Sequence, residues 1–201
     1  MDELIQIFTR HLELTPDEIN FLKENVKINS YPKGYALLNA GQISQSFYFV
    51  VKGCLRLYYK SGIEEKNAFF YTENMFVSSY MSFTKQIPSD HYIATIEKSS
   101  LLKFDISSID RFIQFSPKFG ILAKIMMEEE LATCQKIISS FVTKNAEERY
   151  IEFIANQKEL AQRIPQHFIA TYLGVSPETL SRIRHRIGKR RFIDDRQFPS
   201  I

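Results

Sequence analysis

The sequence lacks tryptophan entirely and holds only two cysteines, Cys54 and Cys134, far apart in the chain. Two isolated cysteines build neither a disulfide framework nor a zinc-ligand spacing, so a reducing, cytoplasmic setting is expected. No stretch approaches the ~20 apolar residues of a membrane span. Residues 1–3 are acidic at Asp2 and Glu3 and no apolar signal-peptide core follows. No membrane association is therefore expected. The excess of one sign of charge is also small: the net charge is +3, too little for an indiscriminate polyanion binder. Of four histidines, only His91 falls among the strand-like segments, so a metal cluster of the kind barrel metalloenzymes use is not expected. Nucleophile elbow, phosphate loop and paired-carboxylate motifs are missing, which argues against an enzyme. There is no internal repeat and no low-complexity tract.

What remains is informative at the C-terminal end. Residues 164–187, IPQHFIATYLGVSPETLSRIRHRI, read as two short helices around a tight turn. Ile169, Leu173, Val175, Leu180 and Ile183 form an apolar set, and Ala170 is small where the helices must cross. Gly174 suits the left-handed backbone that ends the first helix. Ser176 is a good N-cap, Pro177 is tolerated at the first helical position, and Glu178–Thr179 favour the first turn. The second helix then carries Ser181, Arg182, Arg184, His185 and Arg186, with Lys189, Arg190 and Arg191 beyond. A small helix pair whose second helix is polar and basic is the helix-turn-helix pattern for a DNA major groove. Double-stranded DNA is the expected partner. The alternative is a helical hairpin whose basic face is merely solvated.

Glu178 and Arg182 lie four apart and so share one face. Arginine pairs bidentately with guanine, glutamate accepts from cytosine N4, and Ser181 is short enough to let the helix sit deep. These three are the candidate base readers. His167, Ser176, Thr179, Arg184 and Arg186 are candidate phosphate contacts, which position the protein without specifying sequence.

Ahead of that module the period changes twice. Residues 2–10 read as an amphipathic helix, and Thr15–Pro16–Asp17–Glu18 as a capping box for a second. From 27 to 105, glycines separate short aromatic segments: YALLN, SFYFVV, CLRLYY, KNAFFY, then 92–97 and 100–105. Short strands at regular spacing imply an antiparallel barrel or jelly roll. Residues 75–85 break that rhythm and can hold one helical turn. Residues 107–112 read as another turn. A long helix is expected from Ser116–Pro117 to about 142, with Ile121, Leu122 and Ile125 towards the barrel. Its second stripe, Met127, Leu131, Cys134, Ile138 and Phe141, is spaced four, three, four, three, a heptad seam for a second copy. The next helix, capped by Asn145, should bury Tyr150, Ile151, Phe153 and Ile154. The expected fold class is thus α+β, with a barrel region at 1–115, a dimerisation helix at 116–142 and a DNA module at 143–201. After the second helix of that module, any β-hairpin wing is expected to be reduced or absent.

That order resembles the Crp/Fnr family of bacterial transcription regulators, which includes the cyclic-AMP receptor protein. The likeness rests on GQISQSFYFVVKG at 41–53, the heptad helix, NAEERY at 145–150 and GVSPETLSR at 174–182. It implies a homodimer, an effector-binding barrel related to cyclic-nucleotide-binding domains, and contacts with RNA polymerase. It also implies that Glu178, Ser181 and Arg182 occupy the family's reading positions; Pro177 stands where several relatives carry a base-reading arginine.

The likeness weakens at the effector. Nucleotide-binding relatives use a Gly-Glu pair and a later arginine. Residues 74–92 have no such pair, and no arginine lies between Arg56 and Arg111. Asp90 falls near the expected phosphate position and would repel it. These absences argue against cyclic AMP as a cofactor. Ser78, Ser79, Ser82, Lys85, Ser89 and Asp90 are the candidate pocket for some other small-molecule effector. The iron–sulfur branch of the family uses an N-terminal cysteine cluster, which this sequence does not contain. A cyclic-nucleotide-binding module acting on a protein partner is the rival reading; it leaves the basic helix unexplained.

Overall fold

The computed structural model describes residues 1–197, with side chains described through Lys189. Two helices open the chain, α1 (Asp2–His11) and α2 (Pro16–Asn25). The Thr15 capping box forms as read: the Glu18 N–H donates to Thr15 Oγ1, and the Thr15 N–H donates to the Glu18 carboxylate. Leu4, Phe8 and Leu22 are the buried faces of the pair.

Eight strands follow: β1 (Ile28–Tyr31), β2 (Ala36–Leu38), β3 (Ser46–Lys52), β4 (Leu55–Ser61), β5 (Glu64–Tyr71), β6 (Phe76–Val77), β7 (Tyr92–Thr95) and β8 (Ser99–Asp105), with α3 (Tyr80–Lys85) between β6 and β7. They form two antiparallel four-stranded sheets, ordered β1-β8-β3-β6 and β2-β7-β4-β5. The alternation of β3 sorts its side chains. Val50 joins Leu55, Tyr71 and Leu101 between the sheets. Phe49 faces the other way and packs with Leu102, Phe104 and the N-terminal helices. Gly53, between β3 and β4, has φ +118°, and a Cβ there would stand 2.2 Å from Ser99 Oγ, so no other residue fits this turn.

The helical half begins with α4 (Ile106–Phe115), three turns where the sequence suggested one, and continues into α5 (Pro117–Thr143). The barrel-facing stripe of α5 is Phe119 and Leu122. Ile121, expected on that side, is 48% exposed, because at 100° per residue it falls off the face that Phe119 and Leu122 share. Four further helices complete the described chain: α6 (Ala146–Asn156), α7 (Lys158–Arg163), α8 (Gln166–Tyr172) and α9 (Pro177–Gln197). Tyr150 and Phe153 are buried on α6 but Ile151 points outward. The short strands β1 and β6 and the helix α7 had no sequence counterpart; all three are too short for a period to emerge. Among the described residues no strand follows α9. Residues 198–201, the end of the segment in which a wing is expected to be reduced or absent, and the side chains of Arg190 and Arg191 lie outside the described set.

The C-terminal core is not a separate ball. Ile169, Ala170, Leu173, Leu180 and Ile183 pack in one cluster with Cys54, Phe70 and Ile96 of the strand region. The helix pair is therefore seated on the barrel.

Candidate nucleic-acid interface and sensor region

The turn between α8 and α9 is built from the residues that the sequence offered. Gly174 has φ +72°, and its α-carbon faces the Phe141 ring, which a Cβ would approach to 3.2 Å. The Val175 N–H donates to the Ala170 carbonyl, closing the end of α8. Ser176 Oγ accepts from the Thr179 N–H at 3.2 Å, capping α9. Leu180 and Ile183 then bury one side of α9 at 1% and 3% exposure, which turns the other side to solvent.

That outer side carries Glu178, Ser181 and Arg182, all exposed. Arg182 Nη2 donates to Thr179 Oγ1 at 3.1 Å, which holds the guanidinium along the helix. The Ser176 hydroxyl, with the helix backbone and the Arg182 charge, holds the Glu178 carboxyl below the ordinary carboxylate range. Glutamate and arginine thus stand charged and side by side on an uncovered helix near its N-terminal end. Of the candidate phosphate contacts, His167, Ser176, Arg184 and Arg186 are exposed and Thr179 is half-buried. Two of them have internal partners: Arg184 Nη1 donates to Gln166 Oε1 at 2.9 Å, and Arg186 pairs with Glu147 at 2.9 Å.

The opposite face of α8 is fastened to the barrel by a polar seam that the sequence did not disclose. Asn67 of β5 donates to Thr171 Oγ1 at 2.8 Å and to the Phe168 carbonyl at 3.3 Å. The buried Arg56 guanidinium lies between the Tyr58 and Phe168 rings, 3.8 and 3.9 Å from their centroids. Arg163 donates to both carboxylate oxygens of Glu73 at 2.9 Å and also to Glu97. Glu73 in turn accepts from the Gly53 N–H at 2.8 Å. The partners that join the helices to the strands are 66 to 104 residues apart in their hydrogen bonds, so no local pattern could reveal them. The only hint was an arginine in an otherwise apolar strand.

The heptad stripe of α5 lies on the surface. Met127, Leu131, Ile138 and Phe141 are 44–62% exposed, an uncovered apolar ridge. Cys134 is half-buried and packs towards the strands with Ile137.

The candidate effector residues are differently placed. Ser79, Ser82 and Ser89 are buried and their hydroxyls are engaged internally. Ser82 Oγ accepts from the Ser44 N–H and donates to the Ile87 carbonyl. The Ser79 and Ser89 hydroxyls bond each other at 3.1 Å, and Ser89 Oγ reaches the His91 carbonyl. Lys85 and Asp90 are exposed, and Asp90 pairs with His91 Nδ1 at 2.8 Å. Ser78 lines a cleft of about 480 Å³ at one end of the barrel, beside Leu38, Tyr48, Val77 and Ile93. Among the described residues no group of three or more His, Cys, Asp or Glu could hold a metal ion, and no helix is long and apolar enough to cross a membrane.

Residues 28–115 match the cyclic nucleotide-binding domain family. Over 170 residues the chain is 29% identical to the fumarate and nitrate reduction regulatory protein of Yersinia pestis, spanning 78% of this chain and 67% of that one. The chain is thus similar to regulatory proteins of the Crp/Fnr type. Solved structures agree on the fold. FixK2 from Bradyrhizobium japonicum superposes with a TM-score of 0.71 at 18% identity, over 82% of this chain and 85% of its own. The catabolite activator protein of Thermus thermophilus does so with 0.54 at 21% identity, over 88% and 85%. The likeness to the Yersinia pestis regulator and to these solved structures extends over both halves of the molecule. It assigns no role to any single side chain; those come from the geometry above.

Proposed function

We propose that this chain regulates transcription as a homodimer that reads a two-fold symmetric DNA site through α9. One observation carries the reading: Leu180 and Ile183 bury one side of α9 while Glu178, Ser181 and Arg182 stand uncovered on the other. Arg182 reads guanine, Glu178 reads cytosine, and Ser181 allows close approach. His167, Ser176 and Thr179 contact phosphates without breaking an ion pair. Arg184 and Arg186 join them by exchanging Gln166 and Glu147 for phosphate.

The exposed ridge of Met127, Leu131, Ile138 and Phe141 supports pairing of two α5 helices, with Cys134 beneath it. Two copies then offer two reading helices to half-sites about 34 Å apart. We take the effector to be other than a cyclic nucleotide, since 74–92 holds no Gly-Glu pair and no arginine and the buried serines are already engaged. RNA polymerase is the further partner that a regulator of this kind needs. The rival module acting on a protein partner has no use for an exposed basic helix.

Selection of bound fragments from a genomic or random DNA pool tests this. Binding should weaken steeply with salt. Arg182→Ala should cost about 1–3 kcal/mol at one base pair of each half-site and relax preference there. Unchanged sequence preference in that variant refutes the assignment.

A further inference from the structure

A second cavity lies outside the barrel interior, between the β3–β6–β8 face and helices α4 and α5. Its volume is about 280 Å³. Phe47, Phe76, Phe104 and Phe112 line it, with Met126 and Glu130 of α5 closing one side. The rings pack into one wall: Phe47 and Phe104 stack at 4.7 Å and 2°, and Phe76 stands 6.0 Å from Phe47 and 6.3 Å from Phe104.

Glu130 is the one charged group among the described lining residues; no Lys, Arg or His lines the cavity. The half-buried carboxyl has the Tyr71 hydroxyl as its partner, and no cation pairs with it among the described residues. Burial pushes its pKa up, against the lowering effect of Tyr71. A carboxylate held in apolar surroundings without a cation is costly. A cationic ligand removes that cost, and the faces of the phenylalanine rings attract the same charge. An anionic ligand meets only repulsion. The volume falls just below the ~300–1,000 Å³ of drug-sized ligand sites, enough for one ring or a short chain.

We propose that this cavity binds a small organic amine, its apolar body among the phenylalanines and its protonated nitrogen on Glu130. The site goes beyond the DNA reading and does not depend on it. Its consequence for that reading is direct, because Met126, Met127 and Glu130 sit on α5, and Met127 belongs to the ridge assigned to the partner helix.

The full chain, labelled on its methionine methyl groups, is titrated with phenethylamine, benzyl alcohol and phenylacetate and followed by NMR. The amine should shift Met126 and Met127 in a saturable way and leave Met81, on α3, unmoved. Benzyl alcohol should bind more weakly and phenylacetate not at all. Glu130→Gln should weaken the amine about tenfold and leave benzyl alcohol unchanged. Ala123→Phe, which fills the cavity from its open side, should abolish both. Each variant is compared at a temperature where its melting curve matches the parent's, and if one does not fold the other decides. No shift at Met126 and Met127 with any probe overturns the site. Equal binding of amine and phenylacetate, or indifference of the amine to Glu130→Gln, overturns the ligand class. Loss of DNA preference has no bearing on either outcome.

Discussion

The helix pair at 166–189 and the loop region at 78–91 treat their polar side chains in opposite ways. On α9 the apolar residues turn inward, and Glu178, Ser181 and Arg182 are left facing water. Around α3 the polar residues turn inward: Ser79, Ser82 and Ser89 are buried and bond backbone groups or one another. The lesson is that a serine or arginine carries information for a partner only where its hydrogen-bonding capacity is still open. In a loop the backbone itself needs donors and acceptors, so neighbouring hydroxyls are consumed. A helix satisfies its own backbone, which leaves its outer side chains available.

Changes that collapse the support under the open face should have the largest effect. Ile169→Ala removes a fully buried side chain from the cluster that joins the helix pair to Cys54, Phe70 and Ile96. It should cost about 2–5 kcal/mol in chemical denaturation. Because the cluster is shared, barrel and helix-pair signals should lose stability together; separate transitions would show that the two regions are only loosely joined.

Ser89→Ala tests the closed side of the contrast. It leaves the Ser79 hydroxyl and the His91 N–H short of a partner, at a cost of about 1–3 kcal/mol. DNA affinity per folded molecule should not change. A stability effect near zero would mean that these hydroxyls are free to meet a ligand after all.

The third test concerns acid. Glu18 accepts from Ser116 Oγ at 2.6 Å, from the Thr15 N–H and from Lys118 Nζ, tying α2 to α5. Burial raises its pKa, but those partners lower it further, to about 2 from 4.5. The folded value lies below the unfolded one, so the contribution is complete above about 4.5 and is lost as pH falls towards 2. The parent should lose stability across that window, and Glu18→Gln should flatten the loss. A parallel acid limb in both proteins would refute the link.

Smallest is the effect expected at the rim of the reading face. Arg184→Ala removes a cation whose partner, Gln166, is neutral. Binding should weaken evenly across sequences, and the salt slope should fall by about one. A change in sequence preference instead would move Arg184 among the base readers.

Much of this was legible along the chain. The amphipathic spacing, Gly174 and Ser176 marked the helix pair, and the period-two aromatic segments marked the strands. Thr15 and Asn145 marked two helix starts, and both capping boxes form. Other features stayed hidden. The face of α5 that meets the barrel depended on which way a long helix is rotated, and Ile121 was read onto the wrong side. The seam of Arg56, Asn67, Arg163 and Glu73 joins residues that only folding brings together. The aromatic wall of the cavity that Glu130 also lines is assembled from strands and helices on either side of α3.

The division follows from range. Local steric and hydrogen-bonding rules act over three or four residues, so caps, turns, helix faces and strand alternation are written in neighbouring letters. By itself the sequence determined that α9 must bury Leu180 and Ile183 and leave Glu178 and Arg182 outside. Only tertiary structure decided what α8 leans on, which serines are spent, and where a cavity remains, because those depend on how elements distant in the chain pack at close range.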